Sequence, residues 1–131
     1  MKFSILALVL SFVSLSAAHA ASNTNCGDEE HYPLITKSEL KQVAEKKSAV
    51  IVDVNGDESF EKAHVPGAIN YASHEKDFAS TLPAQKDALI VAYCGGPMCT
   101  AWKKAAQKAC EMGYTNIRHF KPGISGWLSQ K

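Results

Sequence analysis

Residues 94–100 read Cys-Gly-Gly-Pro-Met-Cys-Thr and hold the densest chemistry in this 131-residue chain. A thiol becomes a strong nucleophile once it is ionised, and ionisation depends on what surrounds the sulfur. The six residues before Cys94, ALIVAY, are apolar and read as a strand buried on both faces of a parallel sheet. Gly95-Gly96-Pro97 stops that strand, and the pattern predicts a helix from Cys99 or Thr100 to Met112, closed by Gly113. In such sheets, ligands bind at the carboxyl ends of strands. A Gly-Gly pair lets successive backbone N–H groups surround one centre, and a helix start adds its positive end. These effects favour thiolate over thiol. The expectation is therefore a nucleophilic Cys94 with a lowered pKa. Gly95, Gly96, Pro97, Met98, Cys99 and Thr100 form an anion cradle around it. The plainer alternative is a buried Cys that only packs.

Cys99 brackets the same turn, and its spacing leaves several roles open. It can close a reversible disulfide with Cys94, resolve sulfur from Cys94 as hydrogen sulfide or polysulfide, or form a dithiol redox couple. It can also simply pack at a helix start. Cys-x4-Cys as half of a metal site is disfavoured, because structural zinc takes four ligands. Cys26 and Cys110 offer one further disulfide, tying the N-terminal stretch to the last long helix, though Cys110 equally suits a core position. His64 precedes Val-Pro-Gly and is expected to brace that turn, while His31, His74 and His119 lack metal-ligand spacing. Asp53, at the end of an apolar run, is expected to accept hydrogen bonds from loop N–H groups. Trp102 and Trp127 read as packing residues, with Trp102 near enough to the loop to wall a pocket.

The elements that must position these residues are legible as alternating patterns. Residues 36–47 form a helix, with Thr36 and Glu39 at capping-box spacing and Ile35 placed to staple onto Leu40. Residues 49–54 (AVIVDV) are a buried strand, 59–63 a short helix, and 65–70 a turn leading into a short strand. A modest amphipathic helix is expected over 74–82, a strand over 116–120, and a last helical turn over 124–130. Strands alternating with helices predict an α/β fold around a parallel sheet.

Composition narrows the class. Apolar residues make up 46% and charged residues 21%, enough for one packed domain. The net charge is +1 and the only Arg is Arg118, which argues against a nucleic-acid partner and against Arg-based phosphate chemistry. Lys2, the apolar run from Phe3 to Leu15 and Ala18-His19-Ala20 follow the pattern of a secretory signal. The expected divisions are a signal peptide over 1–20, a flexible leader over 21–33 and one domain over 34–131. The chain is expected to work in the periplasm or as a secreted protein, where disulfides form. It is expected to leave the membrane after cleavage and to act as a monomer.

Several segments together resemble the rhodanese-like sulfurtransferase family. Val52-Asp53-Val54 is similar to that family's strand ending in Asp-Val-Arg, and residues 60–70 (FEKAHVPGAIN) resemble its Gly-His-Ile-Pro-Gly-Ala-Ile-Asn signature. Residues 91–94 (VAYC) look like the strand that delivers a catalytic Cys. Ala105-Ala106, residues 113–117 (GYTNI) and residues 122–127 (PGISGW) resemble its later motifs. The resemblance implies a three-layer α/β/α fold with a mostly parallel sheet, and no organic cofactor or metal. It implies a Cys94 persulfide that carries sulfur from thiosulfate or a persulfide/polysulfide donor to a thiol or cyanide. A thiol-reducing protein is a further possible partner. Two readings stand beside it: a thiol-redox protein cycling a Cys94–Cys99 disulfide, and a non-catalytic persulfide carrier. The chain departs from the family at Cys99, where the loop often has Arg, at Asn55 for Arg, and at Ala63 for Gly. A related phosphatase branch requires Arg where Thr100 stands, so a phosphate dianion has no bidentate partner. Lys103 and Lys104 are the nearby cations, more simply read as solvated.

Overall fold

The computed structural model of the protein describes residues 25–130, so the expected signal segment lies outside the described residues. Four parallel strands form one sheet: β1 (Val50–Asp53), β2 (Ile69–Asn70), β3 (Ile90–Tyr93) and β4 (Ile117–His119), in the order β2-β1-β3-β4. The two central strands are the two apolar runs, with Asp53 opposite Tyr93 at their carboxyl ends.

Alternation along these strands sorts the core into two layers. Ile90, Ala92 and Cys94 face a cluster with Trp102, Ala105, Ala106, Ala109 and Tyr114. Val91 and Tyr93 face Ile35, Leu40, Val65 and Phe120. Helix α4 (Trp102–Glu111) covers the first face, and α1 (Lys37–Glu45) and α5 (Gly123–Leu128) cover the second. The result is the three-layer α/β/α arrangement expected from the sequence. Two shorter helices, α2 (Asp57–Lys62) and α3 (Tyr71–His74), flank β2. The capping box at α1 forms as its spacing predicts: Glu39 N–H donates to Thr36 Oγ1 at 3.2 Å, and Thr36 N–H donates to Glu39 Oε2 at 2.8 Å.

Two stretches differ from expectation. The helix expected over 74–82 is instead α3, a turn, and a 3-10 segment at Phe78–Thr81. Tyr71, Phe78 and Leu82 are all buried, so the apolar spacing was real. The helix starts earlier than expected, at an Asn70 cap that accepts from Ala72 N–H at 3.1 Å, and in the later segment Ser80 Oγ donates to the Asp77 carbonyl at 2.7 Å. Ser and Asn side chains that bond locally compete with a continuous helix.

The second is the stretch read as a flexible leader. Its described part is pinned down. Cys26 is bonded to Cys110 of α4 across a sequence separation of 84, and Tyr32 is buried against Trp102 in an edge-to-face contact. The Cys26–Cys110 pairing offered by the cysteine arrangement therefore forms, and with the Tyr32 ring it supplies an anchoring that the polarity of the stretch did not suggest. In the described part of the chain no helix is long and apolar enough to cross a membrane.

A crosslink over so long a loop acts chiefly by restricting the unfolded chain. Replacing the pair by Cys26→Ser with Cys110→Ala is expected to lower stability by about 2–4 kcal/mol. Urea unfolding at fixed pH measures the difference.

Candidate active site

Cys94 follows β3 directly and is 1% exposed. The residue before it anchors the strand end. Tyr93 is buried; its hydroxyl donates to Asp53 Oδ2 at 2.6 Å and accepts from Val65 N–H at 2.9 Å. Burial together with the Asp53 carboxylate drives the Tyr93 pKa strongly upward, so the hydroxyl stays a donor. Asp53 Oδ1 accepts from Asn55 N–H at 2.8 Å and from Asn55 Nδ2 at 2.6 Å. Asp53 is thus the acceptor its position suggested, tying the ends of β1 and β3 to the loop after β1. His64 braces the adjoining turn: its Nδ1 is 2.8 Å from the Phe60 carbonyl, and its ring stacks on Phe60.

The loop after Cys94 is held from behind by α5. Ile124 N–H donates to the Cys94 carbonyl at 2.8 Å, and Ser125 N–H donates to the Gly95 carbonyl at 3.1 Å. A trans peptide unit sends its N–H opposite to its C=O. The N–H groups of Gly95 and Gly96 therefore point away from α5, into the loop. Gly123 makes the approach possible. Its φ is +62°, and a Cβ there would stand 2.5 Å from Gly96 N and 2.6 Å from the Cys94 carbonyl oxygen. Cys99 N–H closes the turn on the Gly96 carbonyl at 3.1 Å.

Cys94 and Cys99 are joined as a disulfide, with Cα atoms 6.3 Å apart. The loop does fold over to bring the two sulfurs together. Pro97, Met98 and Thr100 are exposed, and Met98 is 93% exposed at the loop tip. These three residues shape the rim, while Gly95 and Gly96 lie half-buried beneath it. The α4 helix begins at Trp102, slightly later than expected, after a single turn through Thr100 and Ala101.

Two small cavities flank the loop. One, of about 200 Å³, is bordered by Asn55, Gly56, Tyr71, Ala101 and Lys104. The other, of about 170 Å³, includes Tyr32, Pro97, Cys99, Thr100, Trp102 and His119 in its walls. Of the two nearby lysines, Lys103 is paired with Glu29, whereas Lys104 borders the first cavity. His119 was not singled out from the sequence. It lies in β4, 7% exposed, and stacks on Trp102 with centroids 3.6 Å apart. Burial drives its pKa down to about 4; Lys121 and Lys103 push the same way, and Glu29 opposes them. No signal short of the fold predicts this pairing, because His119 and Trp102 come from different elements. Among the described residues, no group of three or more His, Cys, Asp or Glu side chains is placed to hold a metal ion.

The sequence pattern described as the Rhodanese-like domain matches residues 36–130. The chain is 29% identical over 94 residues to the thiosulfate sulfurtransferase GlpE of Shewanella oneidensis, covering 71% of this chain and 89% of that protein. It is 33% identical over 94 residues to an HTH-type transcriptional regulator of Mycobacterium tuberculosis, covering 71% of this chain but only 40% of the regulator. A human single-domain sulfurtransferase superposes with a TM-score of 0.60 at 20% identity, over 76% of this chain and 97% of that one, and bears on the fold.

Two outcomes test the geometry. Gly123→Ala is expected to lose at least about 2 kcal/mol in denaturant unfolding, from backbone strain plus collision with the loop. Gly67→Ala, at φ +80° but facing open space, is expected to lose only the smaller strain contribution. The lowered His119 pKa also fixes a sign. Between pH about 6.5 and 4 the unfolded chain takes up a proton that the native state refuses, so stability falls as pH falls through that window. Unfolding free energies at pH 7 and pH 5 are expected to differ by about 1–2 kcal/mol, allowing for solvent screening. In His119→Phe that difference is expected to shrink.

Proposed function

This chain belongs to the rhodanese-like domain family, and from that premise we propose that it is a sulfurtransferase working through a persulfide on Cys94. The observation that carries the proposal is the seat of Cys94. It sits at the carboxyl end of the central strand, where the Cys94 and Gly95 carbonyls are bonded to α5 and the facing N–H groups turn into the loop. Backbone dipoles of that orientation favour an anionic sulfur. Similarity to the thiosulfate sulfurtransferase of Shewanella oneidensis supports the same chemistry.

The reduced protein is the active form. The Cys94 thiolate attacks the outer sulfur of thiosulfate, the sulfur–sulfur bond of the donor breaks, and sulfite leaves with the electron pair. Cys94 keeps the transferred sulfur as an anionic persulfide. A thiol or cyanide acceptor then takes that sulfur and restores the thiolate. This is two-step covalent catalysis with ping-pong kinetics.

Cys99 adds a route within the chain. Its thiol attacks the inner sulfur of the persulfide, forming the Cys94–Cys99 disulfide and releasing hydrosulfide; two electrons from an external dithiol then reopen the disulfide. The closed Cys94–Cys99 bond favours this relay. It equally favours a second reading, a thiol-redox protein that carries electrons and no sulfur. The first reading stands ahead because the anion cradle and the family relationship are explained by it. In the phosphatase-like alternative, Thr100 leaves phosphate without a guanidinium. We further infer export of a monomer after removal of residues 1–20. The Cys26–Cys110 disulfide supports the oxidising compartment, since such bonds persist there.

Mass spectrometry of the pre-reduced protein after thiosulfate treatment tests the proposal. In Cys99→Ser, which cannot resolve the persulfide internally, one added sulfur on Cys94 is expected, without hydrosulfide release in the absence of an external thiol acceptor. The wild-type protein is expected to end as the disulfide with one hydrosulfide released, and Cys94→Ser is expected to lose turnover by at least a thousandfold. Loss of two hydrogens with no hydrosulfide released, together with no added sulfur in Cys99→Ser, would instead assign the redox reading.

A further inference from the structure

The Cys94–Cys99 bond is chemically symmetric but structurally lopsided. In the closed disulfide Cys94 is 1% exposed, packed into the cluster that holds Trp102, Ala105 and Ala106. Cys99 is only half-buried, and it opens onto the cavity of about 170 Å³ walled by Tyr32, Pro97, Trp102 and His119. A volume of this order accommodates one alkyl thiol side chain and excludes a folded domain. Its inner surface is the stacked Trp102–His119 pair, a flat face suited to a methylene-bearing thiol. Lys121 and Glu29 also border it, the Glu29 carboxylate being paired with Lys103.

The geometry points to this cavity as a thiol-docking site through which an external reductant opens the disulfide at Cys99, leaving Cys94 as the departing thiolate. The direction of opening rests on the anionic seat of Cys94 argued above. In thiol–disulfide exchange the attack falls on the accessible sulfur, and the thiol of lower pKa leaves faster. Both criteria select the same bond polarity here. In the first step an entering thiolate forms a bond to Cys99 Sγ, the Sγ–Sγ bond breaks, and its electron pair goes to Cys94. In the second step another thiolate of the reductant attacks the reductant's own sulfur in the mixed disulfide. Cys99 departs with the electron pair and takes up a proton from solvent. Two reductant thiols are oxidised to one disulfide, and the protein disulfide is reduced to a dithiol. The ligand class is an alkyl thiol, presented either by a small molecule or by a cysteine at the tip of a redox protein.

The sulfur that is attacked can be mapped without any sulfur donor, so the outcome is separate from the sulfurtransferase test. The oxidised full chain is mixed with limiting glutathione, quenched in acid, alkylated, and digested for mass spectrometry. Glutathione on Cys99 with the alkyl group on Cys94 is expected; the reverse pattern overturns the inference. A second measurement covers the case in which that intermediate is too short-lived. Cys94→Ser and Cys99→Ser are each converted to the mixed disulfide with 2-nitro-5-thiobenzoate, and release of the chromophore by glutathione is timed. Release from Cys99 is expected to be at least tenfold faster than from Cys94. Equal rates, faster release from Cys94, or failure to label Cys99 would overturn the inference. Repeating the timing with a thioredoxin-type dithiol protein tells whether the cavity serves small thiols alone or also a protein-borne cysteine.

Discussion

The hydrogen bonds from Ile124 and Ser125 to the Cys94 and Gly95 carbonyls fix the direction in which the reactive loop faces. Without them, a Gly-Gly sequence has too many accessible conformations to hold its amides in any useful array. With them, the carbonyls are committed to α5 and the partner N–H groups must turn the other way. Gly123 permits this contact because its missing Cβ would overlap the loop backbone. The cradle around Cys94 is thus built from the C-terminal helix inward, by an element distant in sequence from the thiol it serves.

The same logic explains why the sheet ends are knitted so tightly. Tyr93 and Asp53 lie opposite one another in the register of β3 and β1, and their side chains share one short hydrogen bond. A buried carboxylate is costly unless its oxygens are matched, and here Tyr93 and Asn55 match them. Asn55 stands where the family usually carries Arg. Its amide is spent on Asp53, so it stabilises the turn and brings no positive charge to the loop. Cys99 likewise replaces an Arg. The cavity bordered by Asn55 carries both Lys104 and Glu75 in its lining, so it supplies no net fixed charge beside the loop. That shift suits a site in which a second thiol participates in the chemistry.

Much of this was readable from residue order, for definable reasons. The central strands announce themselves because 50–53 and 90–93 are buried on both faces, leaving no room for polar alternation. The capping box at Thr36 is purely local and forms as its spacing dictates. Cys94 was legible because strand, glycines and helix start coincide at one point. What stayed hidden depends on partners far apart in the chain. The Cys26–Cys110 pairing was one of the options the cysteines offered, but the burial of Tyr32 beside it was not visible in so polar a stretch, and residues 74–82 look helical although α3 starts earlier, at the Asn70 cap. His119 carried no pattern at all; only the packing of β4 against α4 sets it on Trp102.

These hidden contacts converge on one side of the reactive loop. The Cys26–Cys110 bond and the buried Tyr32 hold the N-terminal stretch over the start of α4, and Tyr32, Trp102 and His119 then form a continuous aromatic wall. That wall is what leaves Cys99 a confined opening in place of a broad exposed surface. The Cys26–Cys110 disulfide thus lies next to the wall that Cys99 shares with Tyr32. The long-range crosslink closes a loop of 84 residues and is set in the core, whereas the Cys94–Cys99 bond spans a short turn with one half-buried end. Of the four cysteines, Cys99 alone is half-buried, so it is the sulfur most open to a reductant in solution.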